Sequence, residues 1–197
     1  MQTAPTTELD AVNLMLNSIG EAPVNSLDVG LADVATARLT LWRTSREVQS
    51  RGWHFNTEEG ITLSPTVEGH IPLPENTMRV DTNEQEYQDV DVVQRGNRLY
   101  DRKNHTYIFA KALKLDFIFF LNFEELPEAA RWYITVKAAR RFQNDVMGSE
   151  TIYKFKKEDE LEALSILKEA EGDTGDYNMF TGSYSVLNVW HRGGYYG

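Results

Sequence analysis

Gln49-Ser50-Arg51-Gly52-Trp53-His54-Phe55-Asn56-Thr57-Glu58-Glu59-Gly60-Ile61-Thr62-Leu63 decides the fold, because the hydrophobic period changes within it. Before it, apolar residues recur at three- and four-residue steps, the mark of a helix with one buried face. After it, Ile61 and Leu63 alternate with Thr62 and Ser64, the mark of a strand. Gly52 permits a reversal between the two regimes, and Trp53 and Phe55 supply aromatic mass to anchor it. Gly52, Trp53 and Phe55 are therefore read as a structural joint between a helical part and a sheet.

Upstream, Leu9, Val12, Leu16 and Ile19 predict a first helix over about Thr7 to Ile19, ended by Gly20. Val34, Ala37, Leu41 and Val48 predict a second over Asp33 to Arg51, with Trp42 flanking the stripe. Downstream the period of two persists. Val90 and Val92 alternate with Asp91, and Gly96-Asn97 is a tight hairpin turn before Arg98-Leu99-Tyr100. Lys103-Asn104-His105 reads as a turn before a strand at Thr106-Tyr107-Ile108-Phe109. In a last strand Leu113, Leu115, Phe117 and Phe119 share one face, and Ile118 and Phe120 later join the core from the other. Pro72 and Pro74 indicate an edge or loop near residue 73.

The helical period returns at Pro127, a favoured first helical position. Trp132, Val136, Ala139 and Val146 predict the buried stripe of a third helix, with Gly148 at its end. A fourth, capped by Ser149, extends to about Glu171 with a thin face of Tyr153, Leu161, Leu164 and Leu167. Short links make helices one and two, and three and four, antiparallel neighbours. The expected fold is α+β: an antiparallel four-helix bundle from residues 1–52 and 125–171, with a mostly antiparallel β-rich insertion at 53–124. Residues 172–197 are expected to form an extended arm rich in glycine and aromatics. Tyr177, Phe180, Tyr184, Trp190, Tyr195 and Tyr196 along it are candidate assembly residues, since aromatics are enriched at interfaces.

Composition narrows the function. The formal net charge of −10 is spread so that every segment holds more acids than bases, which disfavours a protein that grips nucleic acid by neutralising phosphates. An acidic surface would instead repel a passing duplex. With no cysteine, disulfides and Cys-based metal sites are excluded. His54, His70, His105 and His191 lack ligand spacing, so neither metal nor cofactor is expected. Met1-Gln2-Thr3-Ala4-Pro5 carries no basic cluster or apolar run, so no signal peptide is expected. The apolar run Phe117 to Phe123 falls far short of the ~20 residues of a membrane span.

No phosphate-binding glycine loop or nucleophile elbow is present. Ser165-Ile166-Leu167-Lys168 matches a β-lactamase-type string, but it sits on a charged helix without the companion motifs. The remaining candidate chemistry is a carboxylate pair, Glu58 and Glu59 beside Trp53 and Phe55, which would suit a glycan hydrolase acting on capsule or exopolysaccharide.

Three stretches together resemble the tail tubular protein A family of short-tailed phages of the autographivirus type. They are Asn17-Ser18-Ile19-Gly20-Glu21-Ala22-Pro23-Val24, the Gln49–Leu63 run, and the segment from Leu126-Pro127-Glu128 to Arg140-Arg141-Phe142-Gln143. Gly175-Asp176-Tyr177-Asn178-Met179 adds a weaker fourth. The resemblance implies a structural virion protein: a ring of about twelve copies beneath the portal protein, with a tubular protein B-type nozzle below. Genome DNA would pass through without specific binding. It implies synthesis and assembly in the host bacterial cytoplasm and a final place in the phage tail.

Overall fold

A computed structural model describes residues 5–82, 86–147 and 150–179. Among the described residues the fold is α+β, with four α-helices and antiparallel sheets. Helix α1 spans Glu8–Ser18 and α2 spans Ala32–Gln49. Strands β1 (Thr57–Leu63), β2 (Thr77–Thr82), β3 (Val92–Arg95), β4 (Arg98–Asp101) and β5 (Leu113–Phe119) follow, then α3 (Glu128–Met147) and α4 (Glu150–Met179).

Helix α1 starts at a reciprocal cap. The Asp10 amide donates to Thr7 Oγ1 (3.1 Å) and the Thr7 amide to Asp10 Oδ2 (3.0 Å), which satisfies two of the helix's orphan donors. The Thr7 hydroxyl, which donates to Asp10 Oδ2 (2.6 Å), and then the Thr7 amide hold the Asp10 carboxyl below its ordinary range. Ala11, Val12, Met15 and Leu16 are buried on its inner face, and Val34, Ala37, Leu41 and Val48 on that of α2.

Helix α3 is the hub of the helical part, packing against α1, α2 and α4. Its burial runs round the helix from Tyr133 to Ala139, so one stripe does not describe it. Trp132 and Val146, expected in that stripe, are 41% and 49% exposed, while Tyr133, Ile134 and Phe142 are buried instead. The reason is polar: Lys137 is buried because its ammonium meets Glu47 Oε1 at 3.0 Å, and Gln143 because its Nε2 donates to the Ser18 carbonyl at 2.9 Å. On α4, Ala163 and Leu167 are buried but Leu161, expected on the inner face, is 57% exposed. The Arg140–Glu160 ion pair fastens α4 to α3. Helix α4 continues to Met179, so residues 172–179 are helical where an extended arm was expected. Gly148, Ser149 and residues 180–197 lie outside the described residues, as does the side chain of Tyr153.

Strand β5 lies between β1 and β2, with Ile61 opposite Leu115, Leu63 opposite Leu113, and Val80 opposite Phe117. Its position explains why Leu113, Leu115, Phe117, Ile118 and Phe119 are all buried. The β3–β4 hairpin turns at Gly96-Asn97, with Arg95 opposite Arg98. The strand expected at Thr106-Tyr107-Ile108-Phe109 does not form: Thr106 makes one isolated bridge with Asp101. There the Asp101 carboxylate accepts the amides of Lys103 (2.9 Å) and Asn104 (3.1 Å) and reverses the chain at once. Tyr107 then packs edge-on against Tyr100, and Ile108 stays 55% exposed.

Two apolar clusters result. One gathers Val12, Leu16, Leu41, Tyr133, Ile134, Phe142 and Leu167 from the helices; the other gathers Ile71, Leu99, Leu113, Leu115 and Phe117 from the strands. Leu121, partly buried, packs against both.

Candidate functional site

The segment that changes period in the sequence is where the two clusters are tied. Gly52 has φ +75°, a conformation that costs any residue with a Cβ roughly 1–2 kcal/mol. A Cβ there would also sit 2.5 Å from Cδ1 of Ile118 in β5, so the chain leaving α2 packs directly against the sheet at this glycine. Trp53 is half-buried against the helical cluster, and its indole N–H donates to the Val48 carbonyl (2.7 Å). Phe55 stacks nearly parallel to it, with ring centroids 6.4 Å apart.

Two buried amides finish the tie, and neither stood out as a candidate in the sequence. Gln49 is fully buried; its Nε2 donates to Ser45 Oγ (2.9 Å) and the Leu121 carbonyl (3.0 Å), while its Oε1 accepts the Leu121 amide (2.8 Å). Asn56 donates from Nδ2 to the carbonyls of Gln49 (2.9 Å) and Phe119 (2.8 Å) and accepts the Trp53 amide on Oδ1 (2.8 Å). Each such group buried without a partner would cost about 1–3 kcal/mol, so these bonds favour the observed register of the two segments. Hydropathy misses them because it scores both amides as surface residues.

From α4, Glu171 reaches the same joint: its carboxylate accepts the His54 amide at 2.6 Å. Burial pushes this carboxyl above its ordinary range, against the opposing pull of the His54 and Phe55 amides.

Glu58 and Glu59 lie on β1, both exposed, next to the bulge where the Gly60 amide donates to Asp116 Oδ1 (2.8 Å). Neither lines the hollow between α1, α3 and α4 or the one beside Trp42 and Phe120. Tyr177 falls within α4, but its side chain is outside the described residues, as are Phe180, Tyr184, Trp190, Tyr195 and Tyr196 entirely. Among the described residues no helix is long and apolar enough to cross a membrane.

Two hollows of the described surface remain, one mostly apolar and the other of mixed lining with Glu75, Asn76 and Thr77 beside its aromatics. One hollow of about 270 Å³ opens between α1, α3 and α4, with Asp159 and Glu162 among its lining residues. The other lies beside Trp42, Arg46 and Phe120, where the Arg46 guanidinium sits 5.1 Å from the Trp42 ring centre and 5.3 Å from that of Phe120. Such faces suit binding to another protein surface better than turnover of a small molecule.

Comparison with known proteins decides the family. Residues 9–177 match the family model described as tail tubular protein. The chain belongs to that family. It is also 32% identical over 164 residues to "Tail tubular protein A" of Klebsiella phage KP34, a match covering 82% of this chain and 86% of that protein. A tail tubular protein is a structural component of a viral tail, and the match runs through the joint and all four helices.

Proposed function

We propose that this tail tubular protein is the adaptor between the portal and the tail nozzle, acting by geometry as a ring of about twelve copies. The observation that carries the reading is the family match over residues 9–177, which takes in every element of the fold. The two apolar clusters support a division of labour. Residues 1–52 and 125–171 act as an antiparallel helical bundle that meets neighbouring copies, and 53–124 acts as a β-rich insertion. Gly52, Trp53 and Phe55, with Gln49 and Asn56, keep the two at a fixed angle, which a ring requires of every copy. The aromatic residues from Tyr177 to Tyr196 seat on a neighbouring protein. A net charge of −10 suits a conduit, since an acidic wall repels the duplex and leaves it free to slide.

The test is genetic. A phage unable to make this protein should yield heads that fill with DNA but carry no nozzle and lose their genome. Intact, tailed, infectious particles from the same phage would contradict the proposal.

A further inference from the structure

Two exposed faces of the helical part differ in chemistry. Along α2 and its N-cap, Leu31, Ala35, Leu39 and Trp42 recur at steps of three and four, so they form a stripe on one side of the helix. Leu31 is 53%, Leu39 46% and Trp42 50% exposed. Two exposed cations, Arg43 and Arg46, stand at the C-terminal end of this stripe, Arg46 lying over the Trp42 ring, and the exposed acid Glu75 lines the same hollow as Trp42 and Arg46.

The second face is the hollow between α1, α3 and α4. Val136, Ala139 and Ala163 are buried at its base, Trp132 and Ile166 are 41% and 45% exposed at its edge, and its charges are the acids Asp159 and Glu162. Its volume of about 270 Å³ is below the roughly 300–1,000 Å³ of small-molecule sites. No residue of α2 lines it, so a subunit does not fill its hollow with its own stripe.

We infer that the α2 stripe of one copy seats in the α1–α3–α4 hollow of the next, with Trp42 as the central anchor and Arg43 and Arg46 facing Asp159 and Glu162. The inference rests on the ring reading above and names the contact that builds the ring. Charge complementarity selects a second copy as the occupant: an apolar stripe ending in Arg43 and Arg46, with Glu75 beside it, meets a hollow whose charged lining is Asp159 and Glu162, in a chain whose acids outnumber its bases 30 to 20. Trp and Arg are also the residues that carry most interface energy. Because the two faces are unlike, the contact is head-to-tail, and a head-to-tail contact closes into a ring when its rotation divides a full turn.

The test uses the full chain and two charge-reversal pairs, read by native mass and sedimentation. Arg43→Glu with Arg46→Glu, and separately Asp159→Lys with Glu162→Lys, should each weaken the contact about a hundredfold and abolish rings. Melting temperatures near that of the unaltered chain show that each variant folds. Mixing the two variants one to one should restore rings in which they alternate, because every contact then pairs opposite charges. The chain carrying all four substitutions should also reassemble. Rings that survive in both variants, or that neither mixing nor combination restores, overturn the contact and leave the ring reading standing. An unaltered chain that stays single at every concentration, with or without portal, removes the ring reading itself.

Discussion

Gln49 and Leu121 hold each other by two hydrogen bonds, the Leu121 amide to Gln49 Oε1 (2.8 Å) and Gln49 Nε2 to the Leu121 carbonyl (3.0 Å). The last residue of α2 thus acts as a strand-like partner for the chain leaving β5, across the boundary between the two apolar clusters. Replacing Gln49 with Leu keeps the volume but strands both backbone groups of Leu121. The expected loss is about 2–4 kcal/mol, measured by urea or thermal unfolding. A loss within 0.5 kcal/mol, taken as roughly the scatter of surface substitutions, would show that water replaces the amide and that the tie is not structural.

Gly52 and Gly20 form a matched pair for a second prediction. Both have positive φ, +75° and +86°, but a Cβ at Gly20 meets open space while one at Gly52 meets Ile118. Gly20→Ala should cost roughly 1–2 kcal/mol from the backbone alone. Gly52→Ala should cost about 2–4 kcal/mol, because overpacking against Ile118 adds to it. Equal melting temperatures for the two variants would show that β5 yields at the joint.

Gly52, Trp53 and Phe55 stand out in the sequence as a glycine beside two aromatics; much else does not. Thr77-Met78-Arg79-Val80-Asp81-Thr82 forms β2 with only Val80 as a buried aliphatic, so its alternation carries almost no hydrophobic signal. Tyr107-Ile108-Phe109 has strand composition yet no strand partner. On α3, Lys137 and Gln143 are buried through specific hydrogen bonds, and hydropathy therefore favoured Trp132 and Val146, which are exposed. The end of α4 was misplaced because Gly172 and Gly175 disfavour a helix by only about 1 kcal/mol each, which does not by itself end one. Trp42 reads as the flank of a buried stripe, and only the packing of α2 shows a second stripe of Leu31, Leu39 and Trp42 on the outside.

Acid should loosen the contact between α2 and α3 through Glu47. Hydrogen bonding from Arg141 is the main cause lowering its pKa from 4.5 to about 2, with burial opposing and Lys137 adding to the fall. A depressed carboxyl contributes stability above its unfolded pKa and loses it as pH falls through the folded one. Glu47→Gln should therefore be less stable than the unaltered chain at pH 6–7. The difference should shrink as pH falls below 4.5 and vanish near 2. A gap independent of pH, in a series of melts, would assign the loss to packing instead of charge.

The C-terminal aromatics give a prediction that separates folding from assembly. Deleting residues 180–197 should leave the melting temperature within about 3 °C, since among the described residues both apolar clusters are built from residues before 168. The same deletion should prevent stable rings or portal attachment, because a segment of few aliphatics and many aromatics gains most when each ring finds a pocket on a partner. Unfolding of the truncated chain would place the segment on its own subunit, and normal assembly would remove its interface role.

The central claim is that many copies of this chain close into one ring that binds the portal. Its most direct test is the mass of the purified full chain, alone and mixed with portal, by native mass measurement supported by electron micrographs of the same samples. The expected result is one discrete species of about twelve copies with a central hole, bound coaxially to portal when portal is present. A single-copy mass in both samples, at every concentration tried, would contradict it.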